Sequence, residues 1–120
     1  MNKEEFSSKL EDKINNKTKH LTKKQILNFH KSYLEYHKNI KPDEILVIPI
    51  EEMAELTQHL SKVIRNKESS NDLGILEEMV DVQICLDNLR LYFGITDEKF
   101  QYAMDVKFER NMNNINKGNA

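Results

Sequence analysis

Two short acidic patterns carry the chemistry in this chain. Glu51-Glu52-Met53-Ala54-Glu55 lies near the middle, and Glu77-Glu78-Met79-Val80-Asp81 follows it. Residues three apart on an α-helix reach the same surface, so Glu52 pairs with Glu55 and Glu78 with Asp81. Either pair alone is commonplace on a solvated helix. The surroundings of the second pair set it apart: Glu78 shares a helical row with Val82, Cys85, Leu89 and Tyr92, and Asp81 falls beside Cys85 and Tyr92. An ionised carboxylate in such a setting costs several kcal/mol, on the order given for buried ions after relaxation. It must be protonated, paired with a cation of the protein, or neutralised by a metal. Four converging carboxylates are hard oxygen donors, suited to magnesium or manganese and poorly suited to zinc, which favours His and Cys.

The elements that must position these acids are helices. Phe6, Leu10 and Ile14 recur at i+4 and predict a short, weak helix within a loosely ordered segment 1–20. Thr22-Lys23-Lys24-Gln25 reads as a capping box that opens a helix ending near Lys38 or Asn39. Pro49 leaves two readings open: a helix from Asp43 kinked at the proline, or one that starts there. From Ile50 to Asn66 the period is helical, with Met53, Leu56, Leu60 and Val63 as the apolar centre. Glu52, Glu55, His59 and Lys62 lie along one flank, and Glu51 points further toward solvent. Lys67 to Asp72 predicts a loop, and Asn71 or Asp72 caps a helix running to Phe93 that Gly94 stops. Thr96 caps the last helix, whose apolar face is Phe100, Met104, Phe108, Met112 and Ile115; residues 113–120 are expected to fray. No period-two strand of useful length occurs. The fold class expected is all-α: a single domain, 1–120, built as a bundle of about four to five helices.

Composition agrees. With 120 residues, 38% hydrophobic and 32% charged, and with three glycines and two prolines, the chain suits long helices around a modest core. A net charge of −2 argues against a nucleic-acid partner held by bulk electrostatics, although Lys17 to Lys24 forms a local basic cluster. Cys85 is the one cysteine, so no intrachain disulfide forms and a reduced, cytoplasmic setting is expected. No run of eighteen apolar residues and no signal peptide occur, so no membrane partner is expected. The helix from Ile75 to Phe93 is apolar nearly all round, more than three other modest helices can cover. A second subunit is expected to complete the core, in a homodimer or a homotetramer.

The two acidic patterns, in this order and on these elements, resemble the EExxE...ExxD signature of MazG-like nucleotide pyrophosphohydrolases. That all-α superfamily also includes dimeric dUTPases and phosphoribosyl-ATP pyrophosphatases. The resemblance covers about Ile45 to Ile115. It implies magnesium, with manganese as a substitute, held by Glu52, Glu55, Glu78 and Asp81. Glu51 matches the leading acid, in a direct or outer role. Lys107, Arg110 and Asn111 look like the positions that contact phosphate. Lys107 and Asn111 flank the apolar stripe of their helix, whereas Arg110 lies farther round.

The activity implied is hydrolysis of a nucleoside triphosphate to monophosphate and pyrophosphate, with Glu52 or Glu55 as the base that activates water. The base pocket has no clear correspondence in this sequence. A dUTPase-like or modified-nucleotide cleansing enzyme of the same superfamily is one alternative, and an inactive helical interaction module is another. No GxxxxGK phosphate loop occurs. Cys85, set in an apolar run without a histidine partner, is a poor nucleophile.

Overall fold

The computed structural model describes residues 1–66 and 73–118 and contains five helices and no strand among them: an all-α chain. The helices are α1 (Lys3–Asn15), α2 (Lys23–Ile40), α3 (Glu44–Asn66), α4 (Leu73–Tyr92) and α5 (Asp97–Asn116). The described residues fall into two compact units, Met1–Leu89 and Arg90–Ala120. No helix among them is long and apolar enough to cross a membrane.

Local chemistry sets most of the helix ends. Asn2 caps α1 by accepting from the Glu5 amide at 2.8 Å. The far end of α1 closes in a Schellman motif, with the Thr18 amide on the Lys13 carbonyl at 3.0 Å and the Lys17 amide on the Ile14 carbonyl at 3.2 Å. The left-handed position there, φ +48°, holds Lys17 where glycine or asparagine is usual. The expected capping box of α2 is present: Gln25 donates its amide to Thr22 Oγ1, and its side chain accepts from the Thr22 amide. Thr96 caps α5 through the Lys99 amide. Gly94, at φ +68°, ends α4 in the same motif that closes α1, with the Ile95 amide on the Arg90 carbonyl at 2.8 Å.

Pro49 lies inside α3, so the reading in which the helix begins upstream is the observed one. Leu46 and Val47 both donate to the Asp43 carbonyl, which starts the helix with a tight first turn. Proline has no amide for the Ile45 carbonyl, and its ring crowds that turn, a cost of about 3 kcal/mol or more in a helix interior. Pro49 and Ile45 are both buried, so this irregular turn is covered by neighbours rather than exposed to water. The three residues between α2 and α3 make them an αα-hairpin. His37 Nδ1 of one arm lies 3.2 Å from Glu44 Oε2 of the other.

α5 continues to Asn116, and the Lys117 amide bonds the Asn113 carbonyl at 3.0 Å. Asparagines disfavour a helix interior only weakly, and the stripe that reaches Ile115 carries the helix past them. Tyr92, not Phe93, is the last residue of α4. The expected loop Lys67–Asp72, with its capping Asn71 or Asp72, lies outside the described residues.

The core is thin. Ile45, at 2% exposure, and Cys85, at 7%, are its buried hydrophobic residues among those described. Leu76, Met79, Val80, Ile84 and Leu86 of α4 all remain substantially exposed, so the helix that reads as apolar all round is left partly uncovered by its own chain. The centre also holds a polar pair, His30 of α2 and Asn88 of α4, both buried, with His30 Nδ1 2.6 Å from Asn88 Oδ1. A buried polar group is tolerable only when bonded. The pair therefore fixes which face of α4 meets α2.

Replacing Asn88 with alanine should destabilise the protein by about 1–3 kcal/mol, since His30 is left buried without its partner. His30→Leu combined with Asn88→Leu should recover most of that loss. Urea unfolding followed by circular dichroism reads both, and equal losses in the single and double variants would show that the pair contributes nothing specific.

Candidate functional site

Glu52 and Glu55 stand one above the other on α3, and Glu78 on α4 faces them. One carboxylate oxygen from each lies within 4.8 Å of the others. Glu52 and Glu78 are half-buried, and Glu55 is exposed. Three of the four expected acids therefore form a tight cluster. Asp81 is not among those three, although it stands close enough to act electrostatically on Glu52. Asp81 lies three residues beyond Glu78, about one turn further along α4.

The cluster is electrostatically unfavourable when empty of cations. Burial, then the charges of Glu55 and Glu52, pushes the Glu78 carboxyl from 4.5 up to about 7. Burial, with Glu55 and Asp81 behind it, also raises the Glu52 carboxyl. Asp81 is raised by burial and by Glu77 and Glu55. The Oε2 atoms of Glu52 and Glu78 are buried and accept no hydrogen bond. No lysine or arginine is ion-paired with Glu52, Glu55 or Glu78 among the described residues. The N-terminal ammonium acts on Asp81, but the orphaned oxygens of Glu52 and Glu78, with no lysine or arginine paired to them, are what a divalent ion of the hard, oxygen-seeking kind would satisfy. The donor set fits such an ion.

The other sequence candidates occupy different places. Glu51 is exposed, as its position on the wheel implied, and His59 is half-buried beside Lys62, which is exposed. Lys107, Arg110 and Asn111 are all exposed on α5, in the second compact unit. Burial raises the Cys85 thiol to about 11, with Glu52 and Asp81 adding to the shift, so the thiolate is scarce at neutral pH and the residue is inert as a nucleophile.

Two features of the neighbourhood were not singled out from the sequence. Tyr33, on α2, has its hydroxyl raised by burial and by Cys85, Glu44 and Glu52. Asn88, the partner of His30, continues the row of Asp81 and Cys85 on α4. Polar residues recurring on an otherwise apolar row were the available signal. In the second unit, Arg90 pairs with Asp97 at 2.6 Å and lies 4.0 Å above the centre of the Phe100 ring, which joins the end of α4 to the start of α5.

Comparison of the chain with family models, with curated proteins and with solved structures returns no match.

A carboxyl raised on folding stabilises the fold below its unfolded pKa, and that stability is lost as pH rises through the folded value. For Glu78 the window runs from 4.5 to about 7. The metal-free protein should therefore melt a few degrees lower above this window than below it. Glu78→Gln should flatten that dependence. A melting temperature that rises across the same window in both proteins would show that the cluster is not strained.

Proposed function

We propose that the chain is a magnesium-dependent nucleoside triphosphate pyrophosphohydrolase, cutting between the α- and β-phosphates to release a nucleoside monophosphate and pyrophosphate. The observation that carries the reading is the trio Glu52, Glu55 and Glu78, gathered within 4.8 Å with two buried oxygens left without partners. The resemblance of the two acidic patterns to the MazG-like signature supplies the reaction class.

Magnesium, with manganese as its substitute, would be held by Glu52, Glu55 and Glu78, with Asp81 one turn along α4. When bound it would polarise the phosphoanhydride and acidify a water molecule. The chain's own part is positioning and proton transfer. Glu52 or Glu55 accepts the proton of the attacking water. Glu52 offers a half-buried carboxylate raised above its ordinary value by burial, and Glu55 offers one open to solvent. Phosphoryl transfer depends mostly on placing and neutralising charge. The reading assigns the latter to Lys107, Arg110 and Asn111, exposed side chains of α5. Glu51, exposed beside Glu52, takes an outer supporting role.

A homo-oligomer belongs to the same proposal. The exposed apolar residues of α4 are costly to leave in water, and a second copy of the chain would remove them from it. A dUTPase-like or modified-nucleotide activity differs from this reading in substrate range alone. The same uncovered apolar surface also favours a second reading, a helical interaction module without turnover.

Pyrophosphate release over a panel of canonical and modified nucleoside triphosphates with magnesium tests the proposal. Turnover on at least one is expected, with Glu78→Gln and Asp81→Asn each lowering kcat at least a hundredfold, on the order typical for loss of an electrostatic catalytic group. Wild-type rates in both variants would remove these acids from the mechanism. Millimolar magnesium should also raise the melting temperature of the wild type, and that shift should shrink in Glu78→Gln. Calorimetry that detects no magnesium binding would favour the interaction module.

A further inference from the structure

At the junction of α1 and α2 lies a groove of about 850 Å³ whose lining includes Lys13, Lys17 and Lys19 and no carboxylate. Its walls include Ile14 and Leu21, which are 64% and 67% exposed. Lys13, Lys17 and Lys19 form no ion pair among the described residues. α1 itself buries no residue, and an isolated helix of its 13 residues is marginal in water. This junction therefore combines unneutralised positive charge with apolar surface, on a helix that its own unit covers poorly.

The complementary pattern occurs on α5. At 100° per residue, Glu98, Tyr102, Asp105 and Glu109 fall within a sector of roughly 60°, with Val106 at its edge. All three acids are exposed and also lack ion-pair partners among the described residues. Tyr102 and Val106 are 65% and 64% exposed. α5, like α1, buries no residue. An acidic stripe with an apolar body is the chemistry that a basic, apolar-walled groove accepts.

We infer that the groove at the α1–α2 junction receives the Glu98–Tyr102–Asp105–Glu109 face of α5 from a second copy of this chain. In a two-fold dimer each copy offers both surfaces, so the contact is made twice. Lysines at the groove meet carboxylates of the partner helix, and Tyr102 and Val106 enter between Ile14 and Leu21. The inference rests on the homo-oligomer proposed above and names surfaces separate from the acidic trio, so it stands whether or not the trio supports turnover. Charge complementarity of this kind sets partner register and association rate, and it weakens as salt screens it.

The test is a charge exchange read by sedimentation velocity and light scattering on the full chain. The wild type should run at twice its chain mass of 14.2 kDa at micromolar concentration. Its dissociation constant should rise when salt is increased from about 50 mM to about 500 mM. K13E/K17E/K19E should weaken association at least tenfold, and E98K/D105K/E109K likewise, on the order expected when several close charge pairs are inverted. An equimolar mixture of the two variants should form a heterodimer in which both contacts are complementary, one of the wild-type sense and one with its charges exchanged, and one chain carrying all six changes should recover the homodimer. Because the mixture and the six-fold variant read recovery, a single variant that folds badly does not decide the outcome. A wild type that stays monomeric would end both this contact and the oligomer reading. A wild-type dimer indifferent to the exchange, or one that neither combination restores, would overturn the contact alone.

Discussion

Three carboxylates held within 4.8 Å on two helices repel one another, and the packing of the first unit has to offset that repulsion. No helix gathers acids in this way for its own stability. The energy that keeps Glu78 facing Glu52 and Glu55 has to come from packing elsewhere, and the packing available is modest. Ile45 and Pro49 seat the first turns of α3, and Cys85 lies at the centre of α4. The hydrogen-bonded pair of His30 and Asn88 joins α2 to α4. Protonation relieves part of the repulsion at low pH, as the elevated Glu78 carboxyl shows. At neutral pH that carboxyl is only partly ionised, and no lysine or arginine is paired with the cluster among the described residues.

The same balance explains why the protein is polar at its centre and apolar on parts of its surface. A short chain buries too little of its apolar surface to cover every helix. Leu76, Met79, Val80, Ile84 and Leu86 are left in contact with water on α4, and neither α1 nor α5 buries a residue. Charged residues then decide what can cover these faces. Cations concentrate at the α1–α2 junction and carboxylates on one sector of α5, so the surface is patterned rather than uniformly polar.

Stability and proposed activity pull in opposite directions at Glu78. A neutral side chain there would quiet the repulsion, yet it would also remove the charge that makes the cluster attractive to a divalent ion. Strain of this kind is common where groups are held ready for a ligand rather than for the fold. Tyr33 and Cys85 both titrate higher chiefly because they are buried, and the charge of Glu52 adds to each shift.

Much of this organisation follows from the order of residues alone. The capping box at Thr22 and Gln25, the stop at Gly94 and the cap at Thr96 are local hydrogen-bond chemistry, complete within a few residues. The helical period brings Glu52 to Glu55 on one element without reference to any other. Whether Pro49 begins α3 or lies inside it was open, because the cost of an interior proline depends on what covers the disturbed turn, and the burial of Ile45 and Pro49 is a tertiary fact. That Glu78 turns toward α3 while Asp81 stands aside depends on the rotation of α4 about its axis. A helix apolar on nearly every side carries only a weak preference of rotation in its own sequence, and the bond between His30 and Asn88, formed only when α2 and α4 meet, is one contact that orients it.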